Sequence, residues 1–324
     1  MASARRGYLD FILKAVEDSD DDGQPPKPRY WDAFSKIAYA PTSNHSLSLT
    51  VLLADDDLLF EEDDEDDFVD VVSGYTSSYL WLNHQGVLGA SSFVNTAAYA
   101  GEISVDRDFL AIDDWEDEYF ELLDIRKDRY YGLRQEWQHL IGKGHYLRWG
   151  FDVRTYDVTY DYGINALIED PIDDPRFYPG ERVDSFEGEY EGEQYALFVT
   201  DRVRFGSKFT AEVGVRYDKQ TITEDDQVSP RLNLLYNITP KSALRFGWGH
   251  FYQSQRVHEL DVEFGETDFH PAQRAEHLNL GFEKRWFQGF SLRIDAYRRE
   301  VTEPRPRYET LFNPFQPIAE AEPD

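Results

Sequence analysis

A chain of 324 residues with 41% hydrophobic and 15% aromatic residues is too apolar for a disordered polymer and long enough for one large domain. Its 63 acidic residues against 33 basic ones leave a formal charge of -30, which repels polyanions and argues against a nucleic-acid partner. The mean hydropathy of -0.63, with no apolar run near the ~20 residues of a spanning helix, excludes a helical membrane protein but not a transmembrane β-barrel, whose strands are only half hydrophobic.

The absence of cysteine excludes a disulfide framework and a thiolate metal site. Met1 to Gly7 carries two arginines but no apolar core behind them, so no export signal is legible there. Either the protein is cytosolic or its true start lies elsewhere.

Taken in chain order, two-residue alternation predicts about thirteen strands, at roughly 7–16, 31–40, 45–54, 74–83, 89–101, 129–141, 145–160, 188–204, 209–221, 229–238, 243–254, 275–285 and 290–302. The pattern is clearest where Phe209, Ala211, Val213, Val215 and Tyr217 alternate with Thr210, Glu212, Gly214 and Arg216. Periodicity alone does not say whether the apolar face meets lipid or a sandwich core. The joints separate the two. Short ones, at 41–45, around 84–86, and at 142–145, 206–208, 239–242 and 287–289, alternate with long ones at 17–30, 55–73, 102–128, 161–187 and 255–274 and a shorter one at 222–228. Short periplasmic turns opposite long extracellular loops are the habit of an outer-membrane barrel. The acidic run from Asp55 to Asp67 falls in one such loop and reads as solvated charge. Aromatics near strand ends, among them Trp31, Tyr39, Tyr79, Trp81, Tyr130, Trp137 and Trp149, suit interfacial girdles, the alternative being ordinary sheet-core aromatics.

Three segments carry a resemblance. SPRLNLLYNITPKSALRFGWGHFY (229–252) is similar to a barrel hairpin of TonB-dependent receptors, in which a Ser-Pro-Arg strand turns tightly and returns as an aromatic and glycine strand. RAEHLNLGFEKRW (274–286) resembles the family's next strand, and EQYALFVTDRVRFGSKFTAEVGVRYD (193–218) its Tyr-x-x-Phe-x-x-Asp and Gly-x-Arg-Tyr-Asp hairpin. The resemblance implies an all-β, antiparallel transmembrane barrel, incomplete here, with about 13 of the roughly 22 strands such barrels close. On this reading residues 1–324 form one partial barrel domain lacking the plug and the C-terminal strands.

The same resemblance implies an outer-membrane receptor for active uptake of a scarce ligand, siderophore-like or another small nutrient, and a fragment inactive alone. Implied partners are outer-membrane lipid and lipopolysaccharide, a small-molecule ligand, and the TonB energy-coupling protein through a missing N-terminal region. A passive porin-type channel and a soluble acidic β-protein for adhesion or glycan binding remain as alternatives.

No catalytic motif appears: neither a Gly-x-Ser-x-Gly elbow nor His-Glu-x-x-His nor a phosphate-cradling glycine loop is present, and no enzyme or cofactor is expected. The loop at 255–274 is the candidate ligand site, because Gln253, Gln255, Arg256, His258, Glu259 and Arg274 offer hydrogen-bonding groups above a lumen. His250, His258, His270 and His277 lie among carboxylates in a spacing that matches no standard metal centre, so no metal is expected there.

Overall fold

The computed structural model describes residues 1–16, 27–63, 67–113, 118–168, 180–262, 265–286, 289–305, 308–309 and 318–319. Thirteen strands form one sheet, each pairing antiparallel with its neighbours in the chain. They are β1 (Ala2–Arg6), β2 (Lys27–Thr42), β3 (His45–Asp63), β4 (Asp67–Leu88), β5 (Ser92–Asp113), β6 (Glu118–Ile141), β7 (His145–Ile168), β8 (Gly180–Phe205), β9 (Phe209–Gln220), β10 (Asp225–Thr239), β11 (Ser242–Gln253), β12 (Gln273–Arg285) and β13 (Ser291–Thr302). A helix, α1 (Leu9–Val16), joins β1 to β2, and β14 (Tyr308–Glu309) pairs with β15 (Ile318–Ala319) apart from the main sheet. Among the described residues β1 and β13 do not pair with each other, so the sheet is open.

The hairpin of β2 and β3 shows why the sheet suits a membrane. On one face the register sets Tyr39 beside Leu47, Ile37 beside Leu49, Ser35 beside Val51 and Ala33 beside Leu53, until Trp31 meets Asp55. Trp31 donates its indole N–H to Asp55 Oδ2 at 2.9 Å, where the apolar band ends. From Tyr39 to Trp31 is about 26 Å along the strand, which at the roughly 35–45° tilt of barrel strands rises about 18–21 Å, most of the ~25 Å apolar band of an outer membrane. The opposite face over that stretch is mixed, with Asp32, Lys36, Ser48 and Thr50 among Phe34, Ala38, Leu52 and Ala54. Trp137 and Trp149, paired across β6 and β7, stack with centroids 6.0 Å apart on the lipid side as a girdle. By the same alternation Tyr79, Trp81 and Tyr130 point to the other face and are not girdle residues.

Three expectations need correcting. Residues 7–16 do not form a strand: β1 ends at Arg6 and α1 follows. Leu9, Ile12, Leu13 and Val16 recur at helical spacing, and the consecutive Phe11, Ile12 and Leu13 break a two-residue alternation. Arg6 also pairs with Asp10 in the first turn at 2.9 Å. The second correction concerns the long joints. Much of 55–73, 102–128 and 161–187 is strand, because β3 to β8 run on well beyond the 9–11 residues that cross a bilayer. The acidic run does not form a solvated loop over Asp55–Asp63; these residues continue β3 in register with β4, as in Asp57 opposite Gly74 and Glu61 opposite Asp70. Charged side chains standing off a two-sided sheet leave its backbone pairing intact. The joint at 84–86 is also strand, with the turn displaced to 89–91. Gly89, Gly142, Gly206 and Gly289, in four tight turns at one end, have φ between 60° and 79°, a conformation costly for other residues.

In β7 the two faces exchange character. Leu147, Trp149, Phe151 and Val153 make one face apolar, but it continues as Thr155, Asp157, Thr159 and Asp161. The opposite face passes from Arg148, Asp152 and Arg154 to Tyr156, Val158, Tyr160, Tyr162 and Ile164, all five of which are buried. Below the exchange the outer face meets lipid and the inner one lines the lumen. Above it, the outer face meets water and the inner one holds a core.

Candidate functional site

That core is completed by described residues between β11 and β12, 254–262 and 265–272, which lie against the inner face of the sheet. Leu260 has no exposed surface and Val257 and Val262 are nearly as covered; they pack with Tyr156, Val158, Tyr160, Tyr162 and Ile164 of β7. Each such aliphatic side chain contributes about 1.5–3 kcal/mol of burial. This contact spans four strand positions, so the sheet curves around the strap.

Polar groups fasten the strap. Tyr160 donates its hydroxyl to the Val257 carbonyl at 2.5 Å and accepts from the Leu260 N–H at 3.2 Å, satisfying two backbone groups of an irregular segment. Burial pushes the phenols of Tyr156 and Tyr160 up, that of Tyr156 to about 12. His258 Nδ1 lies 2.7 Å from Asp128 Oδ2 on β6, and Arg126, paired with the buried Asp124 at 2.6 Å, reaches the Leu260 carbonyl at 3.5 Å. Tyr190 of β8 donates to the Thr267 carbonyl, and its ring packs edge-on against Phe269 at 5.0 Å.

Beneath the strap lies a chamber of about 330 Å³, lined from the wall by Tyr79, Asp128, Tyr130, Arg154, Tyr156 and Gln220 and from above by Gln255, Arg256 and His258. Gln255 is buried and structural: it donates to the Glu259 carbonyl at 2.8 Å, accepts from the His270 N–H at 2.9 Å, and its own carbonyl accepts from Gln220 at 3.2 Å. Arg256 is exposed at the rim, and its N–H donates to Glu259 Oε2 at 3.2 Å.

Of the six residues expected from the loop, Gln255, Arg256 and His258 line the chamber. Gln253, Glu259 and Arg274 do not. Gln253 ends β11 opposite Gln273, Glu259 lies 3.6 Å from Arg305, and Arg274 stands in β12 between Tyr252 and Thr302. The wall residues were not anticipated from the sequence, although the alternating Tyr156, Val158, Tyr160 and Tyr162 signal a buried upper wall. The histidines do not converge: His258 joins Asp128, His270 joins Glu266 at 3.1 Å, His250 lies 3.6 Å from Glu276, and the His277 ring packs on Phe251. Among the described residues no three metal-ligating side chains gather.

Residues 4–303 match the family described as "TonB dependent receptor-like, beta-barrel". The chain belongs to the TonB-dependent receptor β-barrel family. The fold is similar to that of the ferric enterobactin receptor PfeA from Pseudomonas aeruginosa, with a TM-score of 0.58 and 13% identity over 90% of this chain and 45% of that one. It is likewise similar to the copper transporter OprC, with a TM-score of 0.61 and 12% identity over 87% and 47%. The outer-membrane transporter YddB from Escherichia coli gives 0.57 and 13% over 91% and 43%. The chain therefore spans about half the length of these barrels. No curated protein matches it significantly. TonB-dependent receptor barrels are outer-membrane transporters and not enzymes, which assigns the lipid face of β2 and β3 to the outer membrane.

Proposed function

We propose that the protein takes part in active uptake of a scarce small ligand, siderophore-like or another nutrient, which is captured under the strap and admitted through the lumen. The observation carrying this reading is the chamber itself: a strap fixed by Tyr160 and Leu260 covers a polar cavity in the wall of a barrel. Energy would come from TonB through an N-terminal region of the parent protein. Residues 1–324 are read as one partial barrel domain, to which a plug and further strands are added. With both sheet edges open among the described residues, we read this segment as inactive alone, since a pore needs a closed wall and free edges invite pairing with other chains. Lipopolysaccharide would surround the strands above the lipid band.

A strap held over the chamber favours gated capture over a passive porin, and the lipid-height band on β2 and β3 speaks against a soluble glycan-binding protein. The test is ligand uptake by cells producing the full-length protein with its strap intact or with residues 255–271 replaced by a short glycine-serine linker. Loss of uptake with unchanged outer-membrane abundance is expected. Unchanged uptake by the replaced variant removes this reading.

A further inference from the structure

Arg154 occupies an unusual seat in the chamber wall. Its guanidinium carbon lies 5.3 Å from the centroid of the Tyr99 ring and 5.1 Å from that of Tyr130, and its Nε donates to the Tyr99 hydroxyl at 3.4 Å. Those rings are themselves fixed by glycines opposite them across β5 and β6, where the register pairs Tyr99 with Gly132 and Tyr130 with Gly101. A Cβ at Gly132 would stand 2.2 Å from the Tyr99 ring, and one at Gly101 would stand 2.5 Å from Tyr130. Two glycines thus let two tyrosines lie flat on the sheet, and the tyrosines hold one guanidinium in place.

This cation has no ion-pair partner among the described residues. Of the nearby carboxylates, Asp152 Oδ1 accepts from the same Tyr99 hydroxyl at 2.7 Å and so lies close to the guanidinium without pairing with it directly, and Asp128 bonds to His258. Next along the same face of β7, Tyr156 keeps only 8% of its surface exposed, and its hydroxyl, beside the Gln220 amide, makes no hydrogen bond within 3.5 Å among the described residues. Buried polar groups are nearly always satisfied, so an orphaned hydroxyl beside a preorganised guanidinium points to a ligand. At the rim Arg256 is balanced by Glu259, 3.7 Å away, and Asp128 bonds to His258, so Arg154 is the cation that lines the chamber without an ion pair of its own among the described residues.

We propose that the chamber floor is an oxyanion subsite in which Arg154, with the Tyr156 hydroxyl, takes a carboxylate group of a small organic acid. The inference rests on the reading of the chamber as a ligand path. A guanidinium presents a planar fork that matches two carboxylate oxygens. The chamber volume, at the small end of ligand pockets, suits a compact acid.

Succinate is the probe, titrated calorimetrically into the full-length receptor in lipid nanodiscs, with glucose as a neutral control. Succinate binds and glucose does not. Arg154→Gln weakens succinate binding by roughly 10- to 100-fold, the range expected for a lost charged hydrogen bond. Tyr156→Phe weakens it by a smaller factor, and Arg154→Lys, which keeps the charge, falls between wild type and Arg154→Gln. Lysine also guards against a folding defect in the glutamine variant. Wild-type affinity in Arg154→Gln overturns the subsite. So does a wild-type receptor that ignores succinate, the outcome if a carboxylate from elsewhere in the same protein already fills the seat. If either result appears while strap replacement still abolishes uptake, the subsite fails and the uptake reading stands. If strap replacement leaves uptake intact, it is the uptake reading that fails.

Discussion

The hydroxyl of Tyr160 on β7 donates to the carbonyl of Val257, a residue 97 positions further along the chain, at 2.5 Å. With the return bond from Leu260, this one hydroxyl satisfies a donor and an acceptor of the strap in a buried setting. Tyr160→Phe keeps the ring and strands both groups, at about 1–3 kcal/mol for each group left unsatisfied. Hydrogen exchange should report faster exchange over residues 255–272 while the amides of β2 to β5 keep their protection. Equal protection in the strap would mean that the apolar contacts of Leu260 hold it unaided.

Alkaline titration follows from the same burial. The phenol of Tyr160 is raised above its ordinary value of 10.0 and that of Tyr156 to about 12, both chiefly by burial. A raised native value means that the folded state prefers the neutral phenol. The stability linked to it is complete below pH 10.0 and is lost as pH rises through the native values. Ultraviolet titration should show these two tyrosines ionising after the exposed ones, with strap protection lost in the same step. Replacing both with phenylalanine should remove that late step from the titration.

The lipid band predicts a contrast on one face of β3. Val51 stands mid-band beside Ser35, whereas Glu61 lies above it opposite Asp70. Val51→Arg should cost about 2–4 kcal/mol of folding free energy in bilayers, and Glu61→Arg about 0–1 kcal/mol. Urea unfolding of the full-length protein from lipid vesicles measures both. Similar costs at the two positions would place the membrane elsewhere on the sheet.

Gly132 tests the seat of Arg154 from below. An alanine there forces its Cβ against the Tyr99 ring, whose place on the sheet depends on the missing side chain. Gly132→Ala should cost about 1–3 kcal/mol as overpacking. Tyr99→Ala in the same background should recover part of that loss, since it removes the clashing ring. Absence of coupling in this double-mutant cycle would refute the contact.

Legibility in the sequence followed the range of the interactions involved. Twelve of the thirteen strands were readable, because alternation between neighbouring side chains is a local signal and the turns at 142–144 and 206–208 carry glycines with positive φ. The upper halves of β3 to β8 were not, because acidic runs such as Asp55 to Asp57 look like loop although they pair with Thr76, Tyr75 and Gly74. Nothing within nine residues of Met1 distinguishes strand from helix until Phe11, Ile12 and Leu13 are weighed at helical spacing.

The candidate site divides in the same way. Gln255, Arg256 and His258 were recognisable as polar groups in a long irregular joint, and that is all a local reading supports. Asp128, the partner of His258, and Gln220, the partner of Gln255, lie 130 and 35 residues away, and Tyr160 lies 97 residues from the neighbouring Val257 that it bonds. Sequence by itself determined which face of each strand is apolar and where most of the tight turns fall, since each depends on side chains a few residues apart, and the family resemblance supplied the barrel class. Only the tertiary structure decided how far the strands run, where the strap docks and that Arg154 sits against the Tyr99 and Tyr130 rings, because the sheet's curvature is what brings residues distant in the chain within bonding range.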